Sequence, residues 1–405
     1  MSLLERFDTL DPEVIRNPYP YFAEMREKAP LFWIERLQAH AVSRYEDAAY
    51  ILKNPALFSS VDIRIAGKLP KDRSSLELGS VSNLLSSDPP IHTRLRGLVS
   101  RAFVPKRISE MEPRVRELSK GLVAEMTAQG EFDLMDGLGT PLPVTIIAEM
   151  LGVEPSRRRD FKLWSDSLIE AGAEIIRDGK ASEKNIRLGQ EMLAYMTEIA
   201  EKRRREPRSD LISMLVQGGE GAEPLTPKEV NSFAILLLAA GNETTTNLIG
   251  NSLVSLIRNP EAYEWLRRDP SIAACAAVCE ETLRYDSPVL GLTRRTTQEV
   301  ELSGGKVPAD STLVVLVASA NHDARKFPNP ERFDPQRDTT GLLSFGHGIH
   351  FCLGAPLSRL EAPVALQELT ARAPRLGFAQ RQPERIDYGM SFFLRGPRSL
   401  WLRKN

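Results

Sequence analysis

One short segment near the C-terminal end of the sequence concentrates side chains that can bind a metal or a cofactor. It reads S-F-G-H-G-I-H-F-C-L-G from Ser344 to Gly354, with three glycines, two histidines and one cysteine in eleven residues. The cysteine, Cys352, could serve in four ways: as a packed core residue, as a zinc ligand, as half of a disulfide, or as the ligand of a larger cofactor.

The zinc and disulfide roles fit the sequence poorly. Zinc binding by His347, His350 and Cys352 is chemically possible, but the segment lacks the paired C-x-x-C or H-x-x-x-H spacing of structural zinc sites. The chain has only three cysteines, and an odd, sparse count argues against a disulfide framework. The other two, Cys275 and Cys279, are spaced i,i+4 in a run of small residues, which predicts buried structural roles.

A haem iron bound through the Cys352 thiolate accounts for the whole segment. Gly346, Gly348 and Gly354 would let the backbone pass close beneath a flat macrocycle, and Phe345 and Phe351 would keep water away. Thiolate ligation pushes electron density toward the iron and favours O–O cleavage. The C-x-x-C-H sequence of covalent haem attachment is absent from the chain.

A second group of polar residues interrupts an otherwise apolar helix. The segment from Phe233 to Ala240 is apolar on all sides, which predicts burial, yet the next six residues read G-N-E-T-T-T. One interpretation is a stripe of side chains that faces solvent. The other, which the apolar flanks favour, places Glu243 and Thr244 beside a buried reactive centre, where a carboxylate and a hydroxyl can relay protons.

Three pairs of charged residues give weaker signals. Glu281 and Arg284 are spaced i,i+3 on a predicted helix and can pair, although most such pairs in proteins are exposed. His92 and Arg96 share a helix face at i,i+4, and Arg294 lies with a second arginine at the start of a strand. Taken alone, each is an ordinary surface residue, but cations placed in this way could converge on a shared anion.

The elements that must position these residues are mostly helical. Thr226-Pro227-Lys228-Glu229 is a capping box with proline at the first helical position, and Asn259-Pro260 is a stop signal. The helix between them, of about 32 residues, would be roughly 48 Å long and could cross the centre of a domain. A second helix start lies at Asp88-Pro89-Pro90.

The remaining pattern predicts a mainly α fold with small β-sheets, and not a doubly wound α/β fold. Amphipathic spacing predicts further helices, and short strand-like runs fall in two clusters. The predicted helices are Arg114–Met126 and Gln190–Arg205, and the predicted strands are Ala39–Val42, Thr293–Thr297, Val300–Leu302 and Leu313–Val317.

Composition is that of an ordinary globular protein. The chain has 405 residues, and its 53 basic and 54 acidic residues leave no basic excess, so we expect no nucleic-acid binding. The N-terminal residues carry charge early and no long apolar run, which predicts neither a signal peptide nor a membrane anchor. We therefore expect a soluble, cytoplasmic protein, with the basic run Lys202–Arg205 at a solvated helix end.

Four motifs in order give the chain a resemblance to the bacterial cytochromes P450, which are soluble haem-thiolate monooxygenases. They span nearly the whole chain, and they are His92-Thr93-Arg94-Leu95-Arg96, Ala240-Gly241-Asn242-Glu243-Thr244, Glu281-Thr282-Leu283-Arg284 and the segment from Phe345 to Gly354. The resemblance implies the cytochrome P450 fold, as a single large domain over residues 1–405 with a long central helix. It also implies heme b, iron-protoporphyrin IX, as the cofactor.

The resemblance assigns roles in heme binding to single residues. Cys352 would be the axial iron ligand, in a loop that Phe345, Gly346 and Gly354 help to form around the heme. The side chains that would hold the heme propionates are His92, Arg96, Arg294 and His350. Arg294 is preferred to its neighbour Arg295 because of its spacing to the following Glu299-Val300-Glu301 segment.

Two further pairs receive roles in the same way. Glu243 and Thr244 match the acid–alcohol pair that delivers protons during O₂ reduction. Glu281 and Arg284 match a buried structural ion pair, which we expect Arg332 to join. One departure from the family's pattern is Asn321-His322-Asp323-Ala324, where N-R-D-P is commoner, and we expect it to change only a local contact.

The activity that the resemblance implies is the insertion of one oxygen atom of O₂ into a C–H or C=C bond of an apolar small molecule, such as a terpenoid, a fatty acid or a polyketide. Electrons would come from a ferredoxin and a ferredoxin reductase, because the chain carries no flavin domain of its own. The residues expected to contact substrate are Leu236, Ala240, Val289, Leu290, Leu292 and Phe392.

Overall fold

The computed structural model describes residues 2–61, 63, 83–178, 180–218 and 223–405. Helices dominate these ranges, which confirms the predicted mainly α fold, and every helix within them is too short or too polar to cross a lipid bilayer. In chain order the α-helices are α1 (Pro12–Arg16), α2 (Tyr19–Lys28), α3 (Tyr45–Lys53), α4 (Ile91–Val99), α5 (Pro105–Ser109), α6 (Glu112–Met126), α7 (Pro141–Leu151), α8 (Arg158–Asp178), α9 (Glu183–Arg205), α10 (Leu211–Gln217), α11 (Pro227–Arg258), α12 (Pro260–Arg268), α13 (Ile272–Tyr285), α14 (Val317–Ala320) and α15 (Ala355–Arg372).

Short strands form small sheets in the described part of the chain. A five-stranded sheet has the order β1-β2-β8-β5-β3, a three-stranded sheet has the order β4-β10-β9, and β6 and β7 form a hairpin. In the five-stranded sheet β2 and β8 are parallel, and the other neighbours are antiparallel. The strands are β1 (Leu31–Ile34), β2 (Ala39–Val42), β3 (Phe58–Ser59), β4 (Glu131–Asp133), β5 (Leu292–Thr296), β6 (Val300–Leu302), β7 (Gly305–Val307), β8 (Thr312–Val315), β9 (Leu376–Phe378) and β10 (Trp401–Lys404).

The chain divides into two compact units, each built from separate stretches of sequence. The first comprises Met1–Leu69, Met111–Gly139 and Thr244–Asn405, and the second comprises Pro70–Glu110 and Thr140–Glu243. All three sheets belong to the first unit. The single domain expected over residues 1–405 stays a prediction.

The core of the first unit lies on both faces of the five-stranded sheet. Alternate residues of β8 enter different clusters: Leu313 and Val315 pack in one, and Val314 packs in the other. Burial on both faces is typical of a central strand with a parallel neighbour. The first cluster also contains Leu343, which directly precedes the glycine-rich segment, so the sheet anchors the start of that segment.

The long helix α11 has the bounds that its sequence signals predict. The Thr226 backbone N–H donates to the Glu229 carboxylate at 2.9 Å, and the Glu229 N–H donates to the Thr226 hydroxyl at 3.3 Å. This reciprocal pair satisfies two backbone donors that the first helical turn leaves free. Arg94 of α4 forms an ion pair with the same Glu229 carboxylate.

The basic run at the end of α9 is only partly solvated, which corrects the expectation for Lys202–Arg205. Arg203 is 1% exposed. It forms an ion pair with Asp210 and donates to the Gly152 carbonyl oxygen at 3.1 Å. Asp210 also caps α10 by accepting from the Ser213 N–H at 2.8 Å, so Arg203 is buried because the next helix begins directly against it.

Candidate active site

Cys352 lies in a loop that folds back on itself immediately before α15. Its N–H donates to the Phe345 carbonyl oxygen at 2.8 Å, and its side chain is half-buried. Helix α15 begins at Ala355 with Gly354 as its N-cap, and a Cβ placed on Gly354 would lie 4.0 Å from the Cys352 sulfur. The sulfur therefore lies beside the N-terminal end of a helix of 18 residues, whose partial positive charge favours a thiolate.

Two glycines of the loop have backbone conformations that other residues rarely adopt. Gly346 and Gly348 both have φ of +69°, in the left-handed region that glycine enters without steric cost. At Gly348 a Cβ would also approach the Leu52 carbonyl oxygen to 2.5 Å. These two positions therefore require glycine for the turn that brings the chain back toward Cys352.

Charged and aromatic groups surround the cysteine side of the loop. The Phe345 ring is buried, and the Arg359 guanidinium lies 4.6 Å from its centroid. Arg359 donates to the Glu280 carboxylate at 2.6 and 2.9 Å. This hydrogen bond raises the pKa of Arg359, and attraction to Cys352 adds to the rise. A cation near the sulfur favours the thiolate further. The Phe351 ring is 39% exposed, so of the two phenylalanines expected to keep water away only Phe345 is buried.

The two histidines of the loop have different partners. His347 accepts a hydrogen bond from the Gly348 N–H at 2.6 Å through its Nδ1 atom. The His350 Nε2 atom lies 3.1 Å from the Ser60 hydroxyl oxygen. This arrangement does not favour zinc binding by the two histidines together with Cys352.

The side chain of Asn321 fixes the start of the loop. Its oxygen accepts from the Leu343 N–H at 2.8 Å, and its amide donates to the Ser344 hydroxyl at 2.8 Å. Ser344 in turn donates to the Leu283 carbonyl oxygen in α13. Asn321 belongs to the segment in which the sequence departs from the commoner pattern, and the neighbouring His322 binds the Tyr285 carbonyl oxygen at 2.8 Å. Sequence reasoning singled out this segment but did not find its role in placing the cysteine loop.

The predicted Glu281–Arg284 pair is buried, but its third member differs from the prediction. Arg284 donates to both Glu281 carboxylate oxygens, at 2.9 and 2.7 Å, and both side chains are 0% exposed. The additional cation is Arg337, 3.3 Å from Glu281. The expectation for Arg332 is wrong, because its side chain points outward and is 69% exposed. Only its backbone takes part: the Arg332 carbonyl oxygen accepts hydrogen bonds from Arg284 and from Arg337, each at 3.1 Å.

Arg294 and Arg295 lie on opposite faces of β5 because strand side chains alternate. Arg295 donates to the Asp310 carboxylate at 2.7 Å and to the Val61 carbonyl oxygen at 3.1 Å. Arg294 is 8% exposed and donates to the Thr293 carbonyl oxygen at 2.7 Å. Arg295 therefore forms an ion pair with a carboxylate on one face of β5, whereas Arg294 is buried on the other face.

His92 and Arg96 are placed in the second unit by α4. The His92 side chain is 2% exposed, and Arg96, one turn later, is half-buried. Burial lowers the pKa of His92, and the nearby positive charge of Arg96 lowers it further. Both effects favour the neutral imidazole of His92, which can donate one hydrogen bond.

The polar middle of α11 has two different sides. Asn242 donates to the Ser165 hydroxyl at 2.7 Å, and Thr246 donates to the Gly139 carbonyl oxygen at 2.8 Å, all in buried surroundings. Glu243 and Thr244 remain half-buried. The run is therefore not a stripe that faces solvent, because most of its polar side chains are buried.

The residues expected to contact substrate have different surroundings. Leu236 is half-buried and Ala240 is exposed, although the apolar run predicted burial for both. Val289 forms an isolated bridge with Leu394, and Leu292 packs at the edge of a core cluster. Two others lie in the second core cluster: Leu290 and Phe392 are 1% and 5% exposed. Substrate contact by these residues stays a prediction.

Comparison with known proteins agrees with the fold and the motifs. The model of the family described as Cytochrome P450 matches residues 178–397. Cytochrome P450 107B1 of Saccharopolyspora erythraea is 38% identical over 403 residues, covering 97% of this chain and 96% of the relative. Vitamin D(3) 25-hydroxylase of Pseudonocardia autotrophica is 38% identical over 397 residues, covering 97% and 95%. The solved structure of CYP109Q5 from Chondromyces apiculatus is 43% identical, with a TM-score of 0.87 and coverage of 98% and 97%.

Fold, motifs and relatives define a haem-thiolate monooxygenase. The chain belongs to the cytochrome P450 family, and its cofactor is heme b. When bound, the heme activates O₂ with electrons from electron-transfer partners, so that one oxygen atom enters the substrate and the other leaves as water. The Cys352 loop fits this group, because it offers a half-buried sulfur at a helix N-terminus and glycines at tight backbone positions.

Proposed function

We propose that Cys352 is the axial ligand of the heme iron and that Glu243 and Thr244 deliver the protons that O₂ reduction consumes. The observation that carries the proposal is the division within α11: Asn242 and Thr246 are buried and hydrogen-bonded, whereas Glu243 and Thr244 stay half-buried. A carboxylate can exchange protons with water, and a neighbouring hydroxyl can pass them on.

The proposal assigns the heme propionates to four side chains of the chain. They are His92, Arg96, Arg294 and His350. Its support is that Arg294 and His92 are both buried, and that burial and the nearby cation Arg96 lower the pKa of His92. Cationic and neutral donors of this kind suit carboxylates, because hydrogen bonds that involve a charged group are the stronger ones.

We further propose an apolar substrate of the terpenoid, steroid-like, fatty acid or polyketide type. Its support is the apolar character of the assigned contacts, which suits small-molecule pockets in general, and the names of relatives: a vitamin D(3) hydroxylase, a 6-deoxyerythronolide B hydroxylase and CYP109E1 solved with testosterone. The proposed contacts are Leu236, Ala240, Val289, Leu290, Leu292 and Phe392.

The proposed electron donors are a ferredoxin and its reductase, and the proposed location is the cytoplasm. Basic residues around α5 offer a docking face for an acidic electron-transfer protein, because surface charge of opposite sign speeds association. They are Arg101, Lys106 and Arg107.

The first test is spectroscopic. The purified protein is reduced and treated with carbon monoxide, and a strongly red-shifted Soret band is expected for thiolate ligation. Titration with testosterone, vitamin D₃ and dodecanoic acid then follows the low-spin to high-spin shift. A Soret band typical of histidine-ligated heme would overturn the assignment of Cys352.

The second test addresses the proton pair. With surrogate ferredoxin, ferredoxin reductase and the panel compound that gives the largest conversion, we expect Thr244→Ala to divert electrons from product to peroxide. If product per NAD(P)H is unchanged in this variant, the proposed role of Thr244 is wrong.

A further inference from the structure

Helix α11 presents two faces with different surroundings at the proposed proton pair. Residues three and four apart share a face of an α-helix. Leu236, Ala240, Glu243 and Thr244 are related in this way, and none of them is fully buried. The opposite face is buried throughout, and its members, 1–8% exposed, are Leu238, Asn242, Thr245 and Thr246.

Two side-chain hydrogen bonds on the buried face leave from the turn that carries Glu243 and Thr244. Asn242, which precedes Glu243, donates to Ser165 of α8 at 2.7 Å. Thr246, one turn after Asn242, donates to the Gly139 carbonyl oxygen at 2.8 Å. Both residues are costly at buried helix positions unless they find partners, and each has one here.

Close packing beside Asn242 adds a steric constraint. A Cβ on Gly241 would lie 2.7 Å from the Cδ1 atom of Ile147 in α7. The absence of a side chain at Gly241 therefore allows α11 to approach α7 closely, and it brings Asn242 within reach of Ser165. Rotation of this turn about the helix axis would break the Asn242–Ser165 bond and press the turn against Ile147.

We propose that Asn242 is a positioning residue for proton delivery: its hydrogen bond to Ser165 fixes the rotation of α11 and so directs the Glu243 side chain along the less buried face. This inference rests on the proposed role of Glu243 and Thr244. Asn242 touches no reacting atom in it and acts only through the orientation of the residue that follows.

The test compares the holoenzyme with Asn242→Ala, with Ser165→Ala and with the double variant. Turnover is measured with the surrogate electron donors and the best panel compound, as product and peroxide formed per NAD(P)H. We expect each single variant to lower product per NAD(P)H about two- to tenfold, with peroxide rising to match and the solvent deuterium isotope effect increasing. Because both substitutions remove the same bond, the double variant should lose no more than either single one.

Asn231→Ala is the matched control. Asn231 lies on the same helix and donates to Thr197 of α9 at 2.9 Å, so the substitution removes a bond of the same kind, three turns before Glu243. We expect this variant to keep the wild-type ratio of product to peroxide. Equal ratios in the Asn231 and Asn242 variants would overturn the positioning role, and Ser165→Ala decides the matter if the Asn242 variant does not fold.

Glu243→Gln separates this inference from the proposal beneath it. If Glu243→Gln diverts electrons to peroxide and Asn242→Ala does not, only the positioning role falls. If Glu243→Gln leaves the ratio unchanged, the proton-delivery role of Glu243 falls and the positioning role falls with it. If both divert electrons, adding Asn242→Ala to Glu243→Gln should change the ratio no further.

Discussion

The guanidinium of Arg284 faces the carboxylate of Glu281 in two hydrogen bonds of 2.7 and 2.9 Å, and neither side chain is exposed to solvent. Arg337 adds a second cation at 3.3 Å. Removing Arg284 leaves the buried Glu281 carboxylate with only the longer contact to Arg337, so we expect Arg284→Ala to lower the free energy of unfolding by about 3–5 kcal/mol.

Arg337→Ala should cost less than Arg284→Ala, because Arg337 makes one long contact with Glu281. Arg332→Ala is the matched control, since its side chain points to solvent, and it should change stability by less than about 0.5 kcal/mol. Denaturant unfolding of the holoprotein measures the free energy of unfolding of all three variants. An Arg332 variant as unstable as the Arg337 variant would restore the original assignment.

Cysteine substitution separates the proposed ligand from the structural thiols. Burial raises the pKa of Cys275 to about 12 and raises the pKa of Cys279 as well, so neither forms a thiolate near neutral pH. We expect Cys352→Ala to abolish the red-shifted band of the reduced, carbon monoxide-treated protein, and Cys275→Ala to retain it. Loss of the band in both variants would point to general misfolding.

The two neighbouring arginines of β5 should differ in heme retention. Arg294→Ala removes a cation proposed for a propionate, and a hydrogen bond to a charged group contributes about 1.5–3 kcal/mol, so heme transfer to apomyoglobin should become roughly ten- to a hundredfold faster. Arg295→Ala breaks the bond to Asp310 instead and should leave the transfer rate near that of the wild type. The reverse order would move the assignment to Arg295.

Glu361 should make stability depend on pH. This carboxyl group is 1% exposed in α15, and burial raises its pKa from 4.5 to about 8. The folded protein therefore keeps a proton that the unfolded chain releases near pH 4.5, and the free energy of unfolding should fall as pH rises from about 4.5 to 8. The melting temperature of Glu361→Gln should fall less than that of the wild type as pH rises over this range. Glu125→Gln, at an exposed site, should follow the wild type.

The basic run of α9 contains one residue that matters for stability. Arg203 is buried against Asp210, whereas Arg205 is exposed. We expect Arg203→Ala to destabilise the protein by about 3–5 kcal/mol and Arg205→Ala to have an effect below about 0.5 kcal/mol. Similar melting temperatures for the two variants would contradict the burial argument.

Local signals were sufficient for some elements of the fold. The capping box at Thr226 and the stop at Pro260 define α11 correctly, because each acts on neighbouring backbone groups. The predicted strands at Ala39, Thr293, Val300 and Leu313 match β2, β5, β6 and β8 within two residues at each end. Strands such as β3 and β10 carry no local sequence pattern that predicts a strand, because their formation depends on pairing with distant segments of the chain.

Contacts between distant segments account for what the sequence did not predict in the site. The loop after α14 turns the Arg332 carbonyl oxygen toward Arg284, and the side chain that reaches Glu281 is therefore that of Arg337. The Asn242–Ser165 bond joins residues 77 positions apart, and the sequence signals only that a buried polar residue needs some partner. The family's motifs stand in order along the chain, which identifies the family, and the roles of their single residues stay predictions.

The parallel pairing of β2 with β8 has a consequence for synthesis of the protein on the ribosome. Val42 lies opposite Val315, so β2 emerges long before the strand that must cover its edge. The β1–β2 hairpin therefore waits with an unpaired strand edge until β8 has been synthesised, a state that invites intermolecular pairing. A nascent chain that stops before Thr312 lacks both this partner strand and Cys352, so the sheet can be completed only after Thr312–Val315 has been synthesised.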